Sequence, residues 1–183
     1  MNTDDKLRKL KEFGIKNNIP NISEENALYL EKLLQEYRPT HLLEIWSANG
    51  YSTVRFALQM KKWSGIITSI DFSQVAYEMA QENFEDFRVT QTIKSYFWDA
   101  REIIPLLEEQ YDFIFIDGLK KASLEFLKLV WKRALPGCII IIDDVIKFKS
   151  KMEDLYQYVH INDIPHEVLQ IDSDDGIMKI IKP

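Results

Sequence analysis

The sequence predicts a doubly wound α/β fold, and three observations predict it. From His41 onward, short apolar runs of strand length alternate with segments whose apolar residues recur at helical spacing, the pattern of successive β-α units in a mostly parallel sheet. The run 137–143, Gly-Cys-Ile-Ile-Ile-Ile-Asp, is apolar without alternation, as a strand buried on both faces must be. The chain then closes on two strand patterns joined across Ser173-Asp174-Asp175, and the Asp-Gly step at Gly176 is a hairpin signal.

Each element follows from local pattern. Residues 3–17 are charged and weakly periodic and read as a helix. Ile19-Pro20-Asn21-Ile22 is an extended break. Ser23 caps a second helix with Leu30, Leu33, Leu34 and Tyr37 at helical spacing, and Pro39 stops it. His41–Ile45 is the first strand. Val54, Ala57 and Leu58 give the next helix its apolar face. Strand two is 65–71, and Ser73 caps a helix carrying Val75, Met79 and Ala80. Strand three is placed at 89–95, and a helix at 103–109 with Pro105 tolerable only in its first turn. Strand four is 111–117; Leu127, Val130, Trp131 and Ala134 mark the following helix, and strand five is 137–143. Met152, Leu155, Tyr156 and Val159 mark another helix, and strands 166–172 and 176–182 close the sheet. No repeat, low-complexity tract or Gly/Ser linker interrupts this order, so residues 1–183 read as one domain, with 1–38 a helical segment packed on it.

The totals bound the function. A chain of 183 residues suits one domain with a sizeable core, and 46% hydrophobic with 28% charged residues reads as soluble and globular. No apolar run nears the length of a membrane span, and the polar start Met-Asn-Thr-Asp-Asp-Lys is not a leader, so no membrane partner is expected. The single cysteine, Cys138, excludes an intramolecular disulfide and fits a reducing compartment, so a cytoplasmic location is expected. A net charge of −6 argues against a broad nucleic-acid surface. Glycine is scarce, 6 of 183 residues, which is about half its usual share.

Chemistry-bearing residues gather at strand ends. Residues 42–53, Leu-Leu-Glu-Ile-Trp-Ser-Ala-Asn-Gly-Tyr-Ser-Thr, read as a strand, a tight turn and a helix start. In an open α/β sheet such a turn lies in the crevice outside the carboxyl ends of the strands, where ligands bind. Unpaired backbone N–H groups at the helix start favour an anion or carboxylate. Glu44 is the residue type that receives an ammonium or a ribose hydroxyl. Asp71 ends strand two, where an acid takes the ribose hydroxyls of a nucleoside; its competing use is to cap a helix. Asp117 ends strand four, and Asp143 and Asp144 end strand five, so adjacent strands bring three carboxylates to one edge. Such a group repels itself unless protons or a cation neutralise it, and hard oxygen ligands suit Mg²⁺, Ca²⁺ or Mn²⁺. The competing use of strand-end acids is simple solvation.

Residues 42–53 resemble the first motif of the class I S-adenosylmethionine (SAM) O-methyltransferases, the family that includes catechol O-methyltransferase. That family reads Leu-Glu-Ile-Gly, three loop residues, then Gly-Tyr-Ser; here Trp46 stands at the first glycine. The resemblance runs from Ile19-Pro20 to the closing Asp-Gly-Ile-Met-Lys. It implies a Rossmann-like, mostly parallel seven-stranded sheet with the last strand antiparallel and helices on both faces. It implies a SAM site made by Glu44, Trp46, Gly50, Tyr51, Ser52, Asp71, Asp99, Ala100 and Asp117. The Asp99-Ala100 pair matches the family's Gly-Asp-Ala against the adenine, with Trp98 at the glycine. It implies a divalent metal on Asp117, Asp143 and Asp144, the last replacing the family's Asn and adding charge. Lys120 matches the catalytic lysine, acting beside Asp117. A lysine beside a dication has its charged form disfavoured and can serve as base, and the metal lowers the pKa of a coordinated hydroxyl.

The expected function is metal-assisted methyl transfer from SAM to a hydroxyl next to a second oxygen on a small catechol-like molecule, with much of the rate coming from positioning. A hydroxylated tRNA uridine is the alternative substrate, favoured by a basic lip of Lys147, Lys149 and Lys151 and disfavoured by the acidic balance. A homodimer is expected by analogy with the family. Trp46 and Trp98 support a third reading, a non-catalytic or SAM-impaired member. Two tryptophans at two family glycine positions also suggest a common cause: UGA codons, which some genetic codes read as tryptophan and others as glycine. His41, His160 and His166 make no metal-ligand spacing, 172–176 lacks the register of a calcium loop, and Cys138 is expected in the core.

Overall fold

The structure is a computed structural model describing residues 2–173 and 175–183. Helices α1 (Thr3–Lys16) and α2 (Glu24–Tyr37) precede the alternating part. There follow β1 (His41–Ile45), α3 (Tyr51–Met60), β2 (Ile66–Asp71), α4 (Gln74–Asp86), β3 (Ile93–Phe97) and the short α5 (Ala100–Ile103). The chain continues through β4 (Tyr111–Ile116), α6 (Ser123–Trp131), β5 (Ala134–Ile142) and α7 (Glu153–Ile161) to β6 (His166–Gln170) and β7 (Gly176–Ile181). The strands form one sheet in the order β3-β2-β1-β4-β5-β7-β6. β1 to β5 pair in parallel, and β7 runs antiparallel to both its neighbours. The order reverses between β1 and β4, and that switch point opens a crevice at the carboxyl edge.

Strand alternation divides the apolar residues into two cores. Leu42, Phe113, Phe115, Ile139 and Ile141 face α2, α3 and α4, while Leu43, Ile45, Ile114, Ile140 and Ile142 face α6 and α7. Both predicted serine caps form: Ser23 accepts from the Asn26 N–H and Ser73 from the Ala76 N–H. Cys138 is buried within β5, and burial pushes its thiol up to about 12. Among the described residues no helix is long and apolar enough to cross a membrane.

The helix capped by Ser73 carries Val75, Met79 and Ala80 as expected; Val75 is 67% exposed on it, and the packed face is Ala80 and Phe84. Three local readings are corrected. The third strand starts later than 89, because Thr90–Thr92 forms a 3₁₀ turn before Ile93. The helix expected at 103–109 ends at Ile103 and passes into a 3₁₀ turn, Ile104–Leu106, since Pro105 has no N–H to continue an α-helical ladder. Ala134 opens β5 rather than closing α6. It pairs with Tyr111, and the register then slips before Phe113 meets Ile139, where Pro136 cannot donate and Gly137 sits at φ 80.

Candidate active site

Three backbone hydrogen bonds bring the strand ends level. The Trp46 N–H donates to Ile70 O at 2.8 Å, the Asp117 N–H to Ile45 O at 3.3 Å, and the Asp143 N–H to Ile116 O at 3.0 Å. The turns after β1, β2, β4 and β5 therefore leave the sheet at one edge. Between them lies a cavity of about 380 Å³. Asp71, Phe72, Val75 and Met79 form one wall, and Asp117, Gly118, Lys120 and Asp144 the other. Trp46 and Ala48 lie between these walls, and Asn18, Ile19 and Pro20 close over from the α1–α2 link. The exposure of Val75 is explained by its place in this wall.

Asp71 fastens one end. Its carboxylate accepts from the Ala48 N–H and the Ser73 N–H, each at 2.9 Å. Burial raises its pKa against the pull of these backbone donors. The acids gather at the other end. Lys120 Nζ lies 2.9 Å from Asp117 Oδ1 and 2.7 Å from Asp144 Oδ2, bridging the two strand ends. Asp143 is buried behind them and accepts from Asn26 Nδ2 at 2.5 Å. Burial first, then the charges of Asp117 and Asp144, push the Asp143 carboxyl well above the usual range. Asp175 joins this group. Its Oδ1 accepts from the N–H groups of Ile146, Lys147 and Gly176, and burial, together with the Asp144 carboxyl that it faces, raises its pKa. For Lys120, burial lowers the pKa, but Asp117 and Asp144 outweigh it and the net shift is upward. As the site stands, Lys120 holds its proton.

The family profile described as O-methyltransferase matches residues 1–175. The chain belongs to the O-methyltransferase family. Among similar proteins are a catechol O-methyltransferase of Niastella koreensis, 27% identical over 130 residues, and the tapetum-specific methyltransferase 1 of Arabidopsis thaliana, 30% identical over 156 residues. These alignments cover 69% and 80% of this chain but 58% and 66% of the relatives, so the chain spans less than two thirds of their length. The fold is similar to the solved O-methyltransferase of Bacillus cereus in complex with SAH (TM-score 0.86, 22% identity, 100% of this chain and 93% of that one). It is also similar to the O-methyltransferase TomG of Streptomyces achromogenes in complex with SAM (TM-score 0.87, 18% identity, 97% of this chain and 89% of that one).

The O-methyltransferase stations divide into those that meet the cavity and those that build it. Trp46, Asp71, Asp117, Lys120 and Asp144 line it. Asp143 lies behind them, lining an adjoining polar pocket with Asn26, Asp144 and Asp175. Glu44 does not reach the cavity: it is fully buried, and its oxygens accept from Ser52 Oγ (2.5 Å), Ser69 Oγ (3.3 Å) and Thr53 Oγ1. Ser52 thus serves Glu44, fixing the first turn of α3 to the end of β1. Gly50, at φ 80, is the N-cap of α3, and a Cβ there would stand 2.7 Å from the Phe84 ring. Tyr51 turns to the opposite side, donating its hydroxyl to Glu24 Oε2 at 2.8 Å. Asp99 caps α5 through the Arg101 N–H and pairs with the Arg101 side chain, with Ala100 buried beside it; neither lines the cavity. Trp98 does not crowd the site either. It is 52% exposed and donates its indole N–H to Glu102 Oε2 at 2.8 Å.

Sequence reasoning did not single out Asn26, Phe72 or Asp175. The signals were faint: an Asn in a first helical turn, an aromatic after a strand-end acid, and an Asp before the hairpin glycine. A larger cleft of about 810 Å³ lies among α1, α2 and α3, away from the strand ends. There Arg55 is already matched by Glu24 and Glu31 at 2.7 and 2.5 Å.

Proposed function

We propose that this O-methyltransferase transfers the methyl group of SAM to a hydroxyl of a small catechol-like molecule with the help of a divalent cation. The observation that carries the reading is one cavity with a nucleoside-type acid, Asp71, at one end and Lys120 with the strand-end carboxylates at the other.

The reaction is an in-line displacement. The substrate oxygen forms a bond to the methyl carbon as the S–CH₃ bond breaks, the sulfur keeps the bonding pair, and the hydroxyl proton must leave. Asp117, Asp143 and Asp144 are a hard-oxygen donor set; burial first, then the charges of Asp117 and Asp144, favour the protonated form of Asp143, and a bound cation would oppose that shift. Among the described residues no three such side chains already form a cage, and Lys120 stands between Asp117 and Asp144. For these donors to take a divalent cation, the Lys120 ammonium must withdraw and the carboxylates must converge. When bound, the cation would lower the pKa of the substrate hydroxyl. Withdrawn from its two carboxylates, Lys120 loses the charges that hold its proton; once it has released that proton to solvent, the neutral amine can accept the one that leaves the substrate hydroxyl. Asn26 holds the Asp143 carboxylate in place from α2. Of the basic lip, Lys147 lines the polar pocket with the acids, whereas Lys149 and Lys151 rest on the Tyr156 and Phe148 rings. The small-molecule substrate is the better-supported reading.

The test is product analysis by mass spectrometry with catechol and millimolar SAM, for this chain and for Trp46→Gly, with Mg²⁺ or with EDTA. Methylated catechol that disappears with EDTA supports the proposal. No methylated product from either chain at any SAM concentration rejects it, and EDTA-resistant turnover rejects the metal.

A further inference from the structure

We propose that the Trp46 indole occupies the nucleobase slot of the chain's own cofactor site, so that this residue sets how tightly a nucleoside cofactor is taken. The inference rests on reading the cavity as the SAM site.

Trp46 is the first residue after β1, at the switch point of the sheet, where the crevice for ligands opens. Its backbone stands at φ 72, in the left-handed region that favours glycine. The hydrogen bond of its N–H to Ile70 O keeps the turn close to the sheet, so the strained conformation is retained and the side chain projects into the crevice. There the indole is held on two sides. The Phe72 ring lies 5.3 Å away at 48°, and on the other side stands Gly118, where an added Cβ would be 3.1–3.4 Å from indole carbons. Phe126 closes the edge at 6.3 Å. A fused five- and six-membered ring is thus clasped between the aromatic after β2 and the backbone after β4.

That clasp has the form of a purine site. Phe72 directly follows Asp71, and a nucleoside whose ribose hydroxyls sat on Asp71 would carry its base into the space between Phe72 and Gly118. Indole and purine are bicycles of closely similar size. Gly118 is the position at which a flat ring lies against bare backbone, and Trp46 fills it from within. The indole and an incoming base therefore compete for the same two surfaces. Trp98, at the second family glycine position, points to solvent and takes no part.

The test is calorimetric titration of the full chain and of Trp46→Gly, Trp46→Ala and Trp98→Gly, with SAH and with adenosine as probes. Trp46→Gly and Trp46→Ala are expected to bind SAH at least about tenfold more tightly than the parent, a gain of about 1.4 kcal/mol. Adenosine, which has the base and ribose but no amino-acid tail, is expected to show the same gain. Trp98→Gly is expected to match the parent. Thermal melts establish that each variant is folded, and Trp46→Ala keeps the test open if glycine loosens the turn. Equal SAH affinity in the folded parent and both Trp46 variants overturns the inference and leaves the SAM reading standing. A gain for SAH without one for adenosine overturns the base-slot assignment. No SAH binding by any folded chain overturns both.

Discussion

Replacing Glu44 by glutamine should change how stability depends on pH. Burial drives this carboxyl upward, the hydroxyls of Ser52, Thr53 and Ser69 oppose the shift, the charge of Asp117 adds to it, and the group settles at about 7. An unfolded glutamate titrates near 4.3. Below that pH the group is neutral in both states, and its contribution to stability is fully present. As pH rises toward 7 the unfolded chain releases its proton first, so the contribution is lost across this window and levels off above it. The gap between the two values corresponds to roughly 4 kcal/mol, of which about 3 kcal/mol falls between pH 4.5 and 7.5. For a chain of this size that is a Tm change of about 6–12 °C. Glutamine keeps the shape and cannot ionise, so the other titrating groups cancel in the comparison. Thermal melts of both proteins from pH 4.5 to 7.5 are expected to show Glu44→Gln gaining on the parent by this amount as pH rises. A Tm difference that stays constant across the range would refute the picture of Glu44 as a sealed acid joining α3 to β1.

Other expectations follow from the acid cluster and the tryptophans. Asp143→Ala should abolish Mg²⁺-dependent turnover while leaving SAH affinity within about tenfold, or 1.4 kcal/mol, of the parent, as read by calorimetry. If Lys120 is the base proposed above, Lys120→Met should lower kcat far more than it raises KM; steady-state kinetics with an unchanged kcat would make Lys120 a structural counter-charge only. Sequencing the gene tests the recoding idea: UGA is expected at codons 46 and 98, and UGG at either rejects it there.

Much of the fold was legible because the parallel strands are buried on both faces and cannot hide their composition. β1 was placed to the residue, and the ends of β2 and β4 to within one. Val75 obeys helical spacing and lies on α4, yet it faces a cavity: periodicity finds the helix but cannot tell a core from a pocket wall. The misses have local causes. Ala134 reads as helix until the Pro136-Gly137 step is allowed to interrupt a strand. At the site, the acids at strand ends were legible because topology alone carries them to one edge. Glu44 was not, since a strand-end acid can point at a ligand or inward, and the choice depends on the hydroxyls of Ser52, Thr53 and Ser69. The bridge from Asn26 to Asp143 spans 117 positions and leaves no trace in either segment. For Trp46, the sequence shows an obstacle at a glycine station; only the structure shows the obstacle clasped between Phe72 and Gly118.

The most direct test of the central claim is a crystal structure of Trp46→Gly with SAH bound. The ribose hydroxyls are expected on Asp71, the base between Phe72 and Gly118, and the amino-acid end directed toward Asp117 and Lys120. SAH bound in the cleft beside Arg55, or anywhere that leaves Asp71 without a ligand contact, would contradict that claim.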